Sequence, residues 1–412
     1  MSKAEMITLK NGLKIGVDEM SDVETVSIGV FVHTGSRNES KEINGISHFL
    51  EHLAFKGTKK RTAKEIAEEF ESIGGYINAY TSREKTVYYV KILKEYTEFA
   101  VEFLSDIIQN SIFKEEEIKK ECEVILQELA MTNDTPDDII FDYFQEVAFP
   151  KQALGAPIIG NKKNILKFQK KDFLDYINSQ YNYGNMAVVA SGNINLDELK
   201  KLSEKYFNNL AKNEIKKIEN ARYFGGDFYK QKKLEQIHCV IGYEGVSYCD
   251  DDYYKAQILS LILGGGMSSR LFQEIRENLG LAYSIYAFNS NYEDAGTFAI
   301  YGASDISKAN KMIDAINFEV EKITKKITDK ELQKVKTQFK ASLKMAKEST
   351  SKRMQKIGSE ILIFNKIFSD QEIIEKFEDI SAKDIKDIAL KIFTSKQTKV
   401  IMGELKKAKI NS

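Results

Sequence analysis

The chain has 412 residues, which corresponds to two to four domains at about 100 to 200 residues per domain. Its 60 Lys and Arg residues balance its 61 Asp and Glu residues, so the chain lacks the overall positive charge typical of proteins that bind nucleic acid or anionic membranes. The 42% hydrophobic fraction and only three Pro exclude a disordered chain and favour a helix-rich globular protein.

Strand and helix patterns alternate through the first half of the chain. Apolar and β-branched residues alternate around the turn-forming pair Asn11-Gly12, which predicts an opening hairpin. Apolar residues at helical spacing follow, interrupted by two further strand-like runs. We predict strands at 6–17, 23–33, 75–81, 86–92 and 185–191, and helices at 44–55, 63–73, 95–109, 114–132, 137–148 and 196–208.

The second half repeats this order of elements after a polar, Lys- and Glu-rich segment at 210–220. The repetition indicates duplication of a module of about 200 residues. We therefore predict an α+β fold of two repeated α/β modules, each a mixed β-sheet flanked by helices. The predicted modules are 1–210 and 223–412, with a linker at 211–222. The second contains predicted strands at 224–229, 236–243, 282–291, 296–302 and 399–403, and predicted helices at 252–263, at 268–279 and in a stretch ending near 393.

The cysteines indicate a reducing compartment. Cys122, Cys239 and Cys249 are widely spaced and form no CxxC pair, so we interpret them as buried small residues. The N-terminal segment lacks the pattern of a signal peptide, and no run approaches the roughly 20 apolar residues of a membrane span. We expect a cytoplasmic protein with no membrane span.

The pentapeptide at 48–52 is the strongest chemical signal in the sequence, because it contains two of only four histidines. In a helix, His52 lies about 40° round the axis from His48 and Glu51 about 60° on the other side, so all three share one face. Two imidazoles can then ligate one metal ion while the carboxylate reaches a water bound to it. This HxxEH order is the inverse of the HExxH motif of zinc peptidases.

The simpler alternative is a pair of surface or capping histidines with Glu51 as an ion partner. Two histidines and an acid at ligand spacing in a histidine-poor chain make that alternative the weaker one. A catalytic zinc site normally has three protein ligands and a water, so a third ligand must come from elsewhere in the fold. Acids are abundant, and spacing alone does not select one.

The chain resembles the pitrilysin-type (inverzincin) metallopeptidases, in particular the branch of the mitochondrial processing peptidase and its bacterial relatives. The resemblance covers essentially the whole chain. It rests on three separated segments in the family's order: GISHFLEHLAFKGT at 45–58, GGYINAYTSRE at 74–84 and ECEVILQEL at 121–129.

The resemblance implies one zinc ion per chain, with Glu128 as the third ligand and Glu121 supporting the site. Glu121 and Glu128 are seven residues apart on a predicted helix, so two turns bring them to one face. Zinc with an open position lowers the pKa of a bound water. Glu51 would act as the general base for its attack on a peptide carbonyl and then protonate the leaving amine.

The family also places an arginine and a tyrosine seven residues apart in its second module, and Arg276 and Tyr283 match them. The resemblance implies that Tyr283 hydrogen-bonds the oxyanion and that Arg276 fixes a substrate carbonyl. The second module lacks HxxEH at 256–263, where the repeat would place it, so we expect it to assist rather than form a second active centre.

The resemblance further suggests how a peptide binds. Asn78, Ala79 and Thr81 match the edge strand on which relatives lay the substrate through main-chain hydrogen bonds. Phe55 matches a residue that lines the pocket just after the scissile bond. The alternative is that Asn78, Ala79 and Thr81 belong to an ordinary strand of the sheet, and such a strand could also bind a peptide in this way.

Two acids suggest a preference for basic peptides. Asp138 and Asp142 lie four residues apart on a predicted helix, where processing peptidases keep acids that bind an arginine near the cleavage point. Acids are also common at helix starts because of the helix dipole.

The run Gly264-Gly265-Gly266 lacks the Lys-Ser/Thr of a phosphate-binding loop and is expected to end one helix and lead into the next.

We therefore predict a zinc metalloendopeptidase that cleaves short or unfolded peptides. Relatives of this length resemble half of a larger clamshell, so we expect a homodimer, or a heterodimer with a paralogue, that completes the active site in trans. Two other functions compete: a non-catalytic subunit of a peptidase or respiratory-type complex, and a peptide-binding module with a vestigial metal.

Overall fold

The computed structural model describes residues 4–212 and 218–410. The strands are β1 (Glu5–Thr8), β2 (Lys14–Glu19), β3 (Thr25–Val32), β4 (Tyr76–Thr81), β5 (Thr86–Leu93), β6 (Met186–Gly192), β7 (Gly226–Gln231), β8 (Gln236–Glu244), β9 (Ala282–Asn291), β10 (Gly296–Asp305) and β11 (Thr398–Gly403). The helices are α1 (Ile46–Leu53), α2 (Ala63–Ser72), α3 (Thr97–Gln109), α4 (Glu115–Asp134), α5 (Pro136–Ala148), α6 (Lys162–Ile165), α7 (Lys170–Gln180), α8 (Leu196–Tyr206), α9 (Tyr253–Gly264), α10 (Ala309–Lys325), α11 (Asp329–Ala346), α12 (Thr350–Phe364), α13 (Asp370–Glu378), α14 (Ala382–Phe393) and α15 (Leu405–Ala408).

The sheet of the first half begins with the predicted hairpin, in which β1 pairs with β2 and Gly12 takes a left-handed φ of 98° at the turn. Among the described strands the order is β1-β2-β6-β3-β5-β4, with β2 and β6 parallel and the other pairs antiparallel. This order leaves β4 at one edge of the sheet.

The sheet of the second half has the order β7-β11-β8-β10-β9, with β7 and β11 parallel and the other pairs antiparallel. Strand for strand, this matches the order β2-β6-β3-β5-β4 of the first sheet. The repeated topology confirms the predicted fold of two related α/β modules.

The compact units nevertheless differ from the linear division at 211–222, because each sheet packs a helix from the other half of the sequence. Helix α12 covers one face of the first sheet, where Met354, Ile357 and Ile361 pack against Phe31 and Val189. The first unit comprises Met1–Leu129, Pro157–Ile218 and Leu343–Asp370, and the second comprises Ala130–Ala156, Glu219–Ser342 and Gln371–Ser412.

Helix α5 makes the corresponding packing in the second unit. Its residues Ile140 and Phe144 are buried against Val240 and Val400 of the second sheet. The approach is close, since a Cβ atom on Gly242 would lie 2.4 Å from the Phe144 ring. The packing of α5 on the second sheet therefore depends on a small residue, Gly242, in the strand beneath the helix.

Local differences from the predicted elements are few. The predicted helix at 268–279 contains a π-helical segment, Phe272–Asn278. Helix α7 was not predicted, and residues 213–217 of the predicted linker lie outside the described residues. Within the described ranges, no helix combines the length and the apolar character needed to cross a membrane.

Candidate metal centre

Helix α1 carries the HxxEH motif and is anchored by its apolar face. Ile46, Phe49 and Leu53 are at most 2% exposed and belong to the main core of the first unit. Because these residues face inward, His48 and His52 project from the other side of the helix at the predicted spacing.

The three predicted metal ligands come together on two helices. His48 Nε2 lies 3.7 Å from Glu128 Oε1, and His52 Nε2 lies 3.5 Å from Glu128 Oε2. One potential ligand atom from each of these residues can be chosen so that all lie within 4.8 Å of one another. Helix α4 supplies Glu128, as the predicted spacing on one helix face requires.

This donor set fits a zinc ion. Ligand atoms around a tetrahedral ion with bonds of about 2.0–2.1 Å lie about 3.3 Å apart, close to the 3.7 and 3.5 Å that separate Glu128 oxygens from His48 Nε2 and His52 Nε2. Those separations are longer than the 2.7–3.2 Å typical of hydrogen bonds. Two imidazoles and one carboxylate are also the ligands of many catalytic zinc sites.

Glu121 contacts the second histidine from a position two turns before Glu128 in α4. Its Oε2 lies 3.1 Å from His52 Nδ1, while its Oε1 lies 2.7 Å from the ammonium group of Lys56. Glu121 is only 5% exposed. A proton on His52 Nδ1 donates to this carboxylate and leaves Nε2 directed at Glu128, an arrangement common behind metal-binding histidines.

Burial and neighbouring carboxylates shift the pKa values of the two histidines in opposite directions. Burial lowers the pKa of His48, so that its imidazole is neutral at pH 7 and able to bind metal. Burial also opposes the charged form of His52, but the hydrogen bond to Glu121 and the nearby Glu128 carboxylate outweigh it and raise its pKa to about 9, so zinc binding would release a proton from this imidazole. The neighbouring imidazole of His52 lowers the pKa of Glu128, which therefore remains ionised.

Glu51 lies on α1 between the two histidines and is held by the end of β4. The hydroxyl of Thr81 donates a 2.6 Å hydrogen bond to Glu51 Oε2. Burial raises the pKa of Glu51 above its usual value, against the opposing effect of the hydrogen bond from Thr81. The sequence predicted Thr81 only as part of a peptide-binding strand, and its contact with Glu51 was missed.

The other predicted substrate residues of the first unit lie on or near edge strand β4. Ala79 is 8% exposed and packs into the core, and Phe55 is partly buried against the same core. The Asn78 side chain accepts a hydrogen bond from Ala79 N and donates one to the Tyr76 hydroxyl. Of the four predicted residues Phe55, Asn78, Ala79 and Thr81, Asn78 alone is exposed.

Arg276 and Tyr283 lie in the second unit and contact each other. The Arg276 guanidinium carbon is 4.7 Å from the centroid of the Tyr283 ring and 4.6 Å from that of Phe272. Tyr283 is 75% exposed. Phe272 was not predicted as part of this group, although its position four residues before Arg276 is the spacing that brings helical side chains together.

The predicted basic-residue site also lies in the second unit. Asp138 and Asp142 occupy the first two turns of α5, where Asp138 is exposed and Asp142 is half-buried. Their four-residue spacing places both on one side of the helix, as predicted.

Known proteins resemble this chain in sequence and in fold. The sequence profile described as insulinase (peptidase family M16) matches residues 17–162, and the one described as peptidase M16 inactive domain matches residues 167–339. An uncharacterized zinc protease of Rickettsia felis is 44% identical over 96% of both chains. Mitochondrial-processing peptidase subunit beta of Saccharomyces cerevisiae is 33% identical over 92% of this chain and 86% of that protein. A crystal structure of a protease from Helicobacter pylori has a TM-score of 0.91 at 26% identity, covering 98% of this chain and 100% of that one.

Replacing Glu121 by Gln should weaken zinc binding by about 10- to 100-fold, because the amide removes the negative charge that orients His52. Competition with a chromophoric chelator measures this affinity in the folded protein. Glu123→Gln, an exposed change on the same helix, is the matched control and should bind zinc like the wild type. Equal affinities for the two variants would contradict the supporting role of Glu121.

Proposed function

This chain belongs to peptidase family M16, and on that premise we propose that it is a zinc-dependent endopeptidase of short or unfolded peptides. The observation that carries the proposal is the convergence of His48, His52 and Glu128 with Glu51 beside them. All four residues lie in the segment that matches the insulinase profile. The Rickettsia felis relative, which is described as a zinc protease, supports the same chemistry.

The proposed reaction is hydrolysis of a peptide bond. His48, His52 and Glu128 would hold the zinc ion, which when bound polarises a water molecule and lowers its pKa. Glu51 takes a proton from the attacking water and delivers it to the leaving amine. The Thr81 hydroxyl fixes one oxygen of that carboxylate, and burial raises the Glu51 pKa in the direction that favours both transfers at neutral pH.

Tyr283 and Arg276 complete the proposed site. The phenol of Tyr283 donates to the developing oxyanion, and the guanidinium of Arg276 binds a substrate carbonyl. Stacking of Arg276 between Phe272 and Tyr283 supports this assignment because it restricts two long side chains before substrate arrives. The peptide itself adds to the free edge of β4 through main-chain hydrogen bonds.

A non-catalytic subunit is the principal alternative. A subunit of that kind has no need for a general base beside two metal-binding histidines, whereas this chain retains Glu51 with both of them. A peptide-binding module with a vestigial metal is disfavoured for the same reason.

The second unit is proposed to assist and not to form a second active centre. Its helix α9 contains no histidine, and the profile that matches this part of the chain is described as inactive.

The Glu51→Gln variant should cleave a quenched peptide library about 10²- to 10⁴-fold more slowly than the wild type, because the amide cannot accept the proton. Its zinc content should be unchanged, since Glu51 is not a ligand. The wild type should also lose activity with a chelator and regain it with zinc. Chelator-resistant hydrolysis, or full activity of Glu51→Gln, would rule out this mechanism.

Asp138 and Asp142 are proposed to bind an arginine of the substrate close to the cleavage point. Replacing both by Asn should reduce kcat/KM for Arg-containing peptides by about tenfold or more while leaving neutral peptides unaffected, since only the former lose an ion pair. Asp137→Asn, a change in the same turn of α5, is the control. Equal losses on both kinds of peptide would exclude a basic-residue preference.

The assembly is proposed to be a dimer, either of two identical chains or with a paralogue, in which Arg276 and Tyr283 of one protomer serve the metal centre of the other. The yeast relative is described as a beta subunit, which supports a multi-subunit arrangement. No disulfide joins Cys122, Cys239 and Cys249, of which only Cys239 is buried as predicted and Cys249 is exposed; this supports a cytoplasmic location, which cell fractionation would test.

Mixing Glu51→Gln protein with Tyr283→Phe protein should restore part of the activity that each lacks, because an exchanged dimer contains one intact composite site. Mass spectrometry of differently labelled chains would verify that subunits exchange. Exchange without recovery of activity would exclude the arrangement in trans.

A further inference from the structure

The helix that carries both metal-binding histidines begins without a cap of its own. Gly45, at the N-cap of α1, has a φ of 100° and no side chain to accept the first N–H groups. A Cβ atom there would lie 2.8 Å from the carbonyl oxygen of Ile159 and 2.9 Å from Gly160 Cα. The usual Ser, Thr, Asp or Asn cap therefore cannot be accommodated, and the N–H groups at the start of α1 need another acceptor.

Glu39 supplies that acceptor from outside the helix. Its Oε2 accepts hydrogen bonds from Gly45 N at 2.7 Å and Asn44 Nδ2 at 3.0 Å, and its Oε1 accepts one from Ser47 N at 2.8 Å. The side chain is buried, with only 5% of Glu39 exposed. Both carboxylate oxygens are thus directed at the first turn of α1.

We propose that Glu39 is a positioning residue for the metal centre. It touches no ligand, but it fixes the backbone of Ser47, which immediately precedes His48. The direction of the first helical turn sets where His48 Nε2 points, and the next turn sets His52. A displaced first turn would move both imidazoles away from Glu128, which is on a different helix.

The surrounding contacts keep this cap in place. The Ser47 hydroxyl is 2.7 Å from the hydroxyl of buried Tyr176, and the Asn164 side chain donates to the backbone oxygen of Asn44 at 3.1 Å. The residues that Glu39 binds are therefore held from a second side. A carboxylate at this end also suits the positive end of the helix dipole.

Metal affinity tests the proposal directly, with Co²⁺ or Zn²⁺ alone as the probe and the full chain as the protein. In Glu39→Gln, one of the two oxygens becomes an NH₂ group that faces an N–H donor. We expect this variant to bind the metal about tenfold more weakly, in line with other residues that orient ligands from behind, and to show an altered Co²⁺ absorption spectrum. Asn44→Ala, which removes one of the three donors, should give a smaller loss.

The control is Glu42→Gln, an exposed change in the same loop, which should match the wild type in affinity and spectrum. All measurements are made at a temperature where circular dichroism shows every variant folded. If Glu39→Gln does not fold, the graded effect of Asn44→Ala decides. Wild-type affinity in the folded Glu39 variant, or in Asn44→Ala where that variant decides, would overturn the positioning role.

This inference rests on the metal site of the proposed function but not on peptide cleavage, since binding is measured without substrate. Weakened binding in Glu39→Gln with normal binding in Glu42→Gln supports it whatever the peptidase assays give. A wild-type chain that binds no metal would overturn both this inference and the proposed function.

Discussion

The contact of one imidazole with two carboxylates organises the metal centre. His52 meets Glu121 through Nδ1 and Glu128 through Nε2, so a single side chain of α1 is tied to two turns of α4. Because α1 has only eight residues, its own hydrogen bonds contribute little to its direction, which is set by its packing, its hydrogen bonds to Glu39 and its contacts with α4. The direction of α1 in turn sets the positions of His48 and Glu51. It therefore also sets the side on which the metal site is open.

The sequence predicted the parts of this centre that depend on local spacing. A helix with 3.6 residues per turn places His48, Glu51 and His52 on one face, and a seven-residue spacing does the same for Glu121 and Glu128. Selecting Glu128 among many acids required the family resemblance, because spacing does not show which two helices meet. The contacts of Glu39, Lys56, Thr81 and Phe272 could not be predicted, since each depends on how distant segments pack.

The same limit applies to the fold. Alternating patterns gave most strands and helices within a few residues, and their repetition indicated the duplication. The exchange of α5 and α12 between the two halves was not predicted, because an amphipathic helix shows which side it buries but not the sheet that covers it. The two units share a strand order but carry different residues, the cluster of His48, His52 and Glu128 in the first and Arg276 with Tyr283 in the second.

The proposed mechanism depends on one zinc ion bound jointly by His48, His52 and Glu128. A crystal structure of the zinc-loaded protein, with anomalous difference maps recorded on both sides of the zinc absorption edge, tests it most directly. We expect one strong peak about 2.0–2.2 Å from both Nε2 atoms and from a Glu128 oxygen, with Glu121 and Glu51 outside the coordination sphere. A zinc-loaded crystal without that peak, or with Glu121 in place of Glu128 as the ligand, would contradict it.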